Sequence, residues 1–209
     1  MYPTATVSER PHKTNPTVDG FAVEIPKGCT FVGHLNTDMD SIGSSLGAAY
    51  LFDGVALAAS SLNTETIFAL KHWGLEHPPL FETYEGDKSK VCLMDHNQAS
   101  QIAAGMDLNT ICGVIDHHAL QSGTVITDRP VYIDIRPWGS ACTIVGHTFL
   151  RIRKPIPQKV AGILLSGILS DTLNLRSPTT TDHDRLLVAV LAKISRCDDI
   201  DDLADQQVI

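Results

Sequence analysis

The feature that most constrains this fold is a series of short apolar runs that alternate with amphipathic segments. The runs predict five strands, over residues 30–33, 55–59, 91–94, 111–115 and 131–134. They are almost continuously apolar, which is typical of strands covered on both faces. Apolar spacings of three and four predict helices over residues 42–50, 67–73, 160–168 and 186–194. This alternation indicates an α/β domain, with a doubly wound, mainly parallel sheet of about five strands and helices on both faces.

Residues that can bind metals follow three of these predicted strands. They are His34, Asp38 and Asp40 after the first strand, Asp95, His96 and Asn97 after the third, and Asp116, His117 and His118 after the fourth. A further carboxylate, Asp171, ends the helix predicted from residue 160. The carboxyl ends of parallel strands meet at one edge of a sheet, so we expect the first three groups to converge there. Asp171 joins them if its helix ends on that side.

Each group taken alone has a simpler explanation, such as a helix N-cap for Asp38 or turn chemistry for Asp95. A metal site is favoured because four such groups coincide. Seven side chains are ligand candidates: His34, Asp38, Asp40, Asp95, His117, His118 and Asp171. Seven ligands are too many for one tetrahedral zinc ion but suit two ions that share a bridging carboxylate. Mixed imidazole and carboxylate donors favour Mn²⁺ or Co²⁺.

Length and composition limit the partners and the cellular compartment that we expect for this chain. A chain of 209 residues corresponds to one ordinary domain. Its net charge of -8 argues against nucleic acid as a partner, although an acidic protein can bind phosphates through metal ions. No apolar run approaches the length of about 18 residues that a membrane helix needs, so no membrane partner is expected.

Five cysteines without a CxxC pair predict reduced thiols and a cytoplasmic protein. No G-x-G-x-x-G follows the first strand, which excludes a Rossmann-type nucleotide binder.

Taken together and in order, these motifs resemble the DHH phosphoesterase superfamily, whose name describes the triplet Asp116-His117-His118. Within that superfamily, the sequence resembles the family II inorganic pyrophosphatases, which depend on manganese. The motifs that carry the resemblance are Gly33-His34-x-Asn36-x-Asp38-x-Asp40-Ser41, Asp95-His96-Asn97, Gly139-Ser140-Ala141-Cys142-Thr143, Ser170-Asp171-Thr172-Leu173 and Ser177-Pro178-Thr179. The similarity extends from about residue 31 to about residue 204.

The resemblance implies a role for each ligand candidate. One metal ion would be held by His34, Asp38 and Asp95. The other would be held by Asp40, Asp95, His117 and Asp171, so that Asp95 bridges the two ions. The catalytic set would be His118, Asp95 and Asp116.

In this set, His118 would face the substrate as a hydrogen-bond donor or general acid. Asp116, like His96, would orient the ligands. A metal-bridging hydroxide would attack pyrophosphate to give two orthophosphates, and an additional Mg²⁺ would arrive with the substrate.

The resemblance also implies a second, C-terminal domain that grips pyrophosphate with basic residues. We therefore expect a loosely ordered extension over residues 1–28, a metal-binding domain over 29–205, and the start of a linker over 206–209, with no substrate-gripping domain. The chain would then be either a fragment or a naturally short protein. In both cases we expect metal binding with weak or absent turnover.

Two further expectations concern assembly and the alternatives to pyrophosphate hydrolysis. A homodimer would form by pairing of sheet edges, and residues 125–134 are the candidate edge strand because Pro130 suits an edge. One alternative function is that of an exopolyphosphatase or another DHH phosphoesterase. The other is a non-catalytic module for metal binding or dimerisation.

Overall fold

The computed structural model describes residues 28–207 and, before them, two short antiparallel strands, β1 (Thr17–Val18) and β2 (Phe21–Ala22). The remainder of the predicted N-terminal extension, residues 1–28, lies outside the described residues, apart from Gly28. The main body is built on a single parallel sheet. Its strands are β3 (Thr30–Val32), β4 (Val55–Leu57), β5 (Val91–Met94), β6 (Ile111–Asp116) and β7 (Tyr132–Ile135).

The five strands lie in the order β4-β3-β5-β6-β7, and every neighbouring pair is parallel. The predicted α/β class and the number of strands are confirmed. Six α-helices accompany the sheet in the described part of the chain: α1 (Met39–Leu51), α2 (Thr64–Trp73), α3 (Ala141–Arg151), α4 (Gln158–Asp171), α5 (Asp182–Ser195) and α6 (Ile200–Gln207). None of these helices is long and apolar enough to cross a membrane.

Alternate strand residues enter two apolar clusters on opposite sides of the sheet. Phe31 and Met94 pack with residues of α1, α3, α4 and α5. Val32 and Leu93 pack instead with Phe81, Met106 and other residues from outside the α-helices. Two 3₁₀ helices, Ala99–Gln101 and Leu108–Thr110, are the short helical elements of the segments that lead to β6. The helices expected on this second side are therefore short 3₁₀ turns.

Two helices were not predicted from the sequence. Helix α3 contains Thr, Ile and Val, which are β-branched and therefore weak helix formers. Its sequence thus gives no clear helix signal. Helix α6 is short and rich in Asp and Gln. It places the buried Gln207 side chain against the carbonyl oxygen of Ser166, at 3.3 Å. Helix α6 is thus packed against the rest of the body through Gln207.

Two local features concern the start of α5 and the edge of the sheet. Helix α5 begins with a capping box, in which Thr181 and Asp184 accept hydrogen bonds from each other's backbone N–H groups. Strand β7 lies at one edge of the sheet, as expected, but it covers only Tyr132–Ile135. Residues 125–131, with Pro130, precede the strand rather than form part of it. Proline lacks the N–H group that the ladder requires, which suits this position.

Candidate metal centre

The first ligand group is placed by a tight passage from β3 into α1. A Cβ atom on Gly33 would lie 2.5 Å from the Cβ of Ser41, so only glycine allows the helix to start this close to the strand. Asp38 is the N-cap of α1 and accepts a 2.9 Å hydrogen bond from the backbone N–H of Ser41. As a result, Asp38 and Asp40 lie at the N-cap and in the first turn of α1, close to the end of β3.

Asp95 lies at the centre of the site, directly after β5. Its Oδ2 is 3.3 Å from Nε2 of His34, and its Oδ1 is 3.1 Å from Nε2 of His117. The backbone of Asp95 has φ of 63°, a left-handed conformation that non-glycine residues rarely adopt. The sheet holds it there, since its N–H donates to the carbonyl of Ile115 at 2.8 Å. Ser41 Oγ donates to Oδ2 of Asp95 at 3.0 Å. Strain of this kind, of the order of 1–3 kcal/mol, is typical of functional sites.

The predicted ligands form overlapping groups whose donor atoms lie within 4.8 Å of one another. The groups are His34 with Asp38 and Asp95, Asp40 with His117 and Asp171, and Asp95 with His117 and His118. All seven candidates from the sequence are therefore brought to one place. Asp95 belongs to two of the groups, and its two oxygens face the two partly buried histidines, His34 and His117. This geometry suits a carboxylate that bridges two cations.

Asp40 is fully buried and is held by the N-terminus of α3. Its carboxylate accepts hydrogen bonds from Ser140 Oγ at 2.6 Å, from the Ala141 N–H at 2.7 Å and from the Cys142 N–H at 2.9 Å. The positive end of the helix dipole favours an anion here. Sequence reasoning gave these residues no role, although the family resemblance had singled out the segment that contains them.

The DHH triplet is oriented by contacts behind the ligands. His117 Nδ1 lies 3.0 Å from the carbonyl of Trp138, which places the proton on Nδ1 and leaves Nε2 to face the carboxylates. The buried Asp116 accepts from the backbone N–H groups of His117 at 2.7 Å and His118 at 3.1 Å. Asn97 donates to its other oxygen at 2.6 Å. Trp138 carried no signal in the sequence, because it acts through its backbone oxygen.

His118 differs from the other histidines of the site in being exposed. Its side chain is 55% accessible, and its Nδ1 lies 2.9 Å from Oδ1 of Asp116. The hydrogen bond to Asp116 raises the pKa of His118. His96, by contrast, is buried with Nδ1 3.0 Å from the carbonyl of Met94, and burial lowers its pKa. His96 belongs to none of the three ligand groups.

The charges of the site compensate one another only in part. Burial by itself lowers the pKa of His117, but hydrogen bonds to Asp171 and Asp95 raise it to about 12. In the same way, bonds to Asp38 and Asp95 outweigh burial and raise the pKa of His34 to about 10. Burial, with the negative charges of Asp95 and Asp171, raises the pKa of Asp40 well above its usual range.

Without metal, the raised pKa values of His34 and His117 favour imidazolium groups among the carboxylates, where cations would also be favourable. Four carboxylates and two partly buried imidazoles, with donor atoms of each group within 4.8 Å of one another, form a donor set that fits divalent ions of the Mn²⁺ type.

A cavity of about 520 Å³ opens beside the ligands. Its lining consists of His34, Asn36, Asp95, His96, Asn97, Gln98, Gln101, His118, Ala119 and Gln121. Amide and imidazole groups dominate, and none of these lining residues, all from the described part of the chain, is Lys or Arg. The cavity can therefore hydrogen-bond an anion, and the basic side chains among these lining residues are the imidazoles of His34, His96 and His118.

Comparison with known proteins agrees with this geometry. The profile described as "DHH family, N-terminal domain" matches residues 29–168. A protein of Lactobacillus helveticus assigned as a manganese-dependent inorganic pyrophosphatase is 39% identical over 171 residues, which cover 79% of this chain and 54% of that protein. A Streptococcus mutans protein with the same assignment is 38% identical over 172 residues, or 79% of this chain and 55% of its own length. This chain spans about half the length of the curated relatives it matches.

Two solved structures share the fold. A Methanococcus jannaschii protein assigned to the family II inorganic pyrophosphatases superposes with a TM-score of 0.78 at 32% identity, covering 85% of this chain and 60% of that one. An exopolyphosphatase-related protein from Bacteroides fragilis has a TM-score of 0.64 at 19% identity, covering 87% of this chain and 56% of that one. At that identity, the second likeness concerns the fold alone.

Proposed function

Because this chain belongs to the DHH family, we propose that it is the metal-binding part of a manganese-dependent inorganic pyrophosphatase, which hydrolyses pyrophosphate to two orthophosphates. The observation that carries the proposal is the position of Asp95. Its two oxygens face His34 and His117, each of which belongs to a separate group of ligands. The names of relatives at 38–39% identity support the choice of substrate and metal.

In this proposal, His34, Asp38 and Asp95 would hold one ion, and Asp40, Asp95, His117 and Asp171 would hold the other. When bound, two Mn²⁺ or Co²⁺ ions, with a Mg²⁺ that accompanies the substrate, supply positive charge and activate water for attack on phosphorus. The carboxylates fix the spacing of the donor atoms. The Trp138 carbonyl holds His117 in the tautomer that presents Nε2.

His118 is the proposed proton donor. Asp116 orients its ring through Nδ1, and this hydrogen bond raises the pKa of His118, which favours the imidazolium form. The exposed ring lines the cavity, where it can donate to a phosphate oxygen and then protonate the departing phosphate. Asp116 and Asp95 complete the catalytic set by orienting His118 and the ligands.

We further propose that residues 29–205, with α6 completing the same body to Gln207, form the metal-binding domain, and that a separate domain grips the substrate. The absence of Lys and Arg from the described residues that line the cavity supports this division. Each missing charge-assisted contact to phosphate costs about 1.5–3 kcal/mol. The 209-residue chain assayed alone should therefore turn over slowly.

The test is phosphate release by the metal-depleted chain after loading with Mn²⁺, with pyrophosphate and long-chain polyphosphate as parallel substrates. We expect slow hydrolysis of pyrophosphate that Asp95→Asn abolishes. Adding the separately produced C-terminal half of the Lactobacillus helveticus relative should accelerate it. Faster release from polyphosphate would favour the exopolyphosphatase alternative. Metal binding without hydrolysis, even with the added half, would favour a non-catalytic module.

Two further parts of the proposal concern assembly and location. A homodimer would form through β7, an edge strand on which Ile133 is 61% exposed. Light scattering that gives the mass of one chain would contradict it. All five cysteines are unpaired, which supports a reducing compartment such as the cytoplasm.

A further inference from the structure

Asp184, in the first turn of α5, is a buried carboxylate with four hydrogen-bond donors. Its accessibility is 0%. Oδ2 accepts from the Gly139 N–H at 3.0 Å, from the Thr181 N–H at 2.7 Å and from Thr181 Oγ1 at 2.6 Å. Oδ1 accepts from Thr143 Oγ1 at 2.5 Å. A capping box explains the bond from the Thr181 N–H, but it does not explain those from Gly139 and Thr143.

These last two bonds tie Asp184 to the start of α3. Gly139 stands between Trp138, whose carbonyl orients His117, and Ser140, whose hydroxyl donates to Asp40. Gly139 is also closely confined, because a Cβ there would lie 2.8 Å from Oδ2 of Asp184 and 2.7 Å from the methyl group of Thr172. Thr172 directly follows the ligand Asp171.

Among the described residues, Asp184 supports one ligand group and has no such link to the other. The segment it fixes contacts Asp40 and His117 directly and adjoins Asp171 through Thr172. These three residues form one ligand group. The hydrogen bonds and ion pairs of His34 and Asp38, in the other group, involve residues of the β3–α1 passage and Asp95 instead.

We propose that Asp184 is a positioning residue for only one of the two metal ions, the one held by Asp40, His117 and Asp171. The inference rests on the proposed function, since it presumes a two-ion centre. It extends that function by assigning a role to a residue that lies outside every ligand group. Loss of a partner behind a ligand typically weakens metal affinity about 10–100-fold.

The experiment is a titration of the metal-depleted full chain with Mn²⁺. Calorimetry measures the affinity of each site, and electron paramagnetic resonance monitors the bound ions. Asp184→Asn keeps the size of the side chain but turns one acceptor into a donor that faces N–H groups. We expect about 10-fold or greater weakening at one site, less than about 3-fold change at the other, and loss of the signal of the coupled ion pair. Thr143→Val, which leaves the charge of Asp184 intact, should shift the same site by a smaller factor and guards against misfolding of the first variant.

Leu187→Ala is the matched control, because Leu187 is fully buried on the same helix and packs in the main apolar cluster. It should lower the melting temperature while affecting the two sites alike. If Asp184→Asn also weakens both sites alike, or weakens neither, the inference is wrong and the two-ion centre stands. If the wild-type chain binds fewer than two ions, the proposed function fails and the inference fails with it.

Discussion

Asp40 accepts a 2.6 Å hydrogen bond from Ser140, a residue 100 positions further along the chain. The bond joins the first turn of α1 to the N-cap of α3 in a region from which water is excluded. Burying a carboxylate is costly unless donors surround it. Ser140 and two backbone N–H groups supply those donors, and they fix the oxygens of Asp40 before any cation binds.

Replacing Ser140 by Ala should therefore weaken Mn²⁺ binding about 10–100-fold at the site of Asp40. It should also destabilise the chain by about 1 kcal/mol, because Ser140 is an N-cap. Asn63→Ala is the matched control, since Asn63 caps α2 through a 2.8 Å bond from the Thr66 N–H and touches no ligand. Calorimetric titration and thermal melts measure both effects. Equal Mn²⁺ affinities in the two variants would contradict the prediction.

The sequence was sufficient to predict the strands and to identify the ligand candidates. Strand identity follows from apolar runs, and Asp38, Asp95 and His117 are visible because each follows such a run. The supporting contacts could not be found in this way. Trp138 acts through a backbone carbonyl, and the bond from Ser140 to Asp40 spans 100 residues. Such contacts depend on tertiary packing. The same is true of the second side of the sheet, which is covered by segments without α-helices.

Asp95→Asn should affect both ions, in contrast to the selective change at Ser140. The substitution removes the negative charge that faces His34 and His117 at 3.3 and 3.1 Å. We expect loss of affinity at both sites beyond the roughly 100-fold upper range for partners behind the ligands. Mn²⁺ titration measures it, with Asp87→Asn, at an exposed carboxylate outside the ligand groups, as a control for charge. Retention of one unperturbed site would show that Asp95 does not bridge.

The stability of the metal-free chain should fall as the pH rises above neutrality. The pKa values of His34 and His117 are raised from 6.5 to about 10 and about 12, so their pairing with carboxylates stabilises the fold fully below pH 6.5. That contribution is lost as the pH approaches the folded-state pKa values. The raised pKa of Asp40 acts in the same direction, because its ionisation is opposed in the fold.

Mn²⁺ should reverse this dependence on pH. Imidazole binds metal in its neutral form, so protons compete with the ion and binding tightens as the pH rises. Urea unfolding between about pH 7 and 9.5, with and without Mn²⁺, should therefore show a stabilisation by metal that grows with pH. Parallel curves for the two forms would contradict this coupling between the metal and the histidine protons.

Asp116→Asn should lower the pKa of His118 toward its usual value. In the wild-type chain, the carboxylate of Asp116 lies 2.9 Å from Nδ1 of His118 and raises this pKa. The amide is neutral, so it no longer favours the imidazolium form. Titration of the His118 ring by NMR in the metal-free chain, compared with the same titration of the wild-type chain, measures the change. An unchanged pKa of His118 would mean that Asp116 orients the ring without controlling its charge. Another group would then have to raise the pKa of His118 for it to act as the general acid.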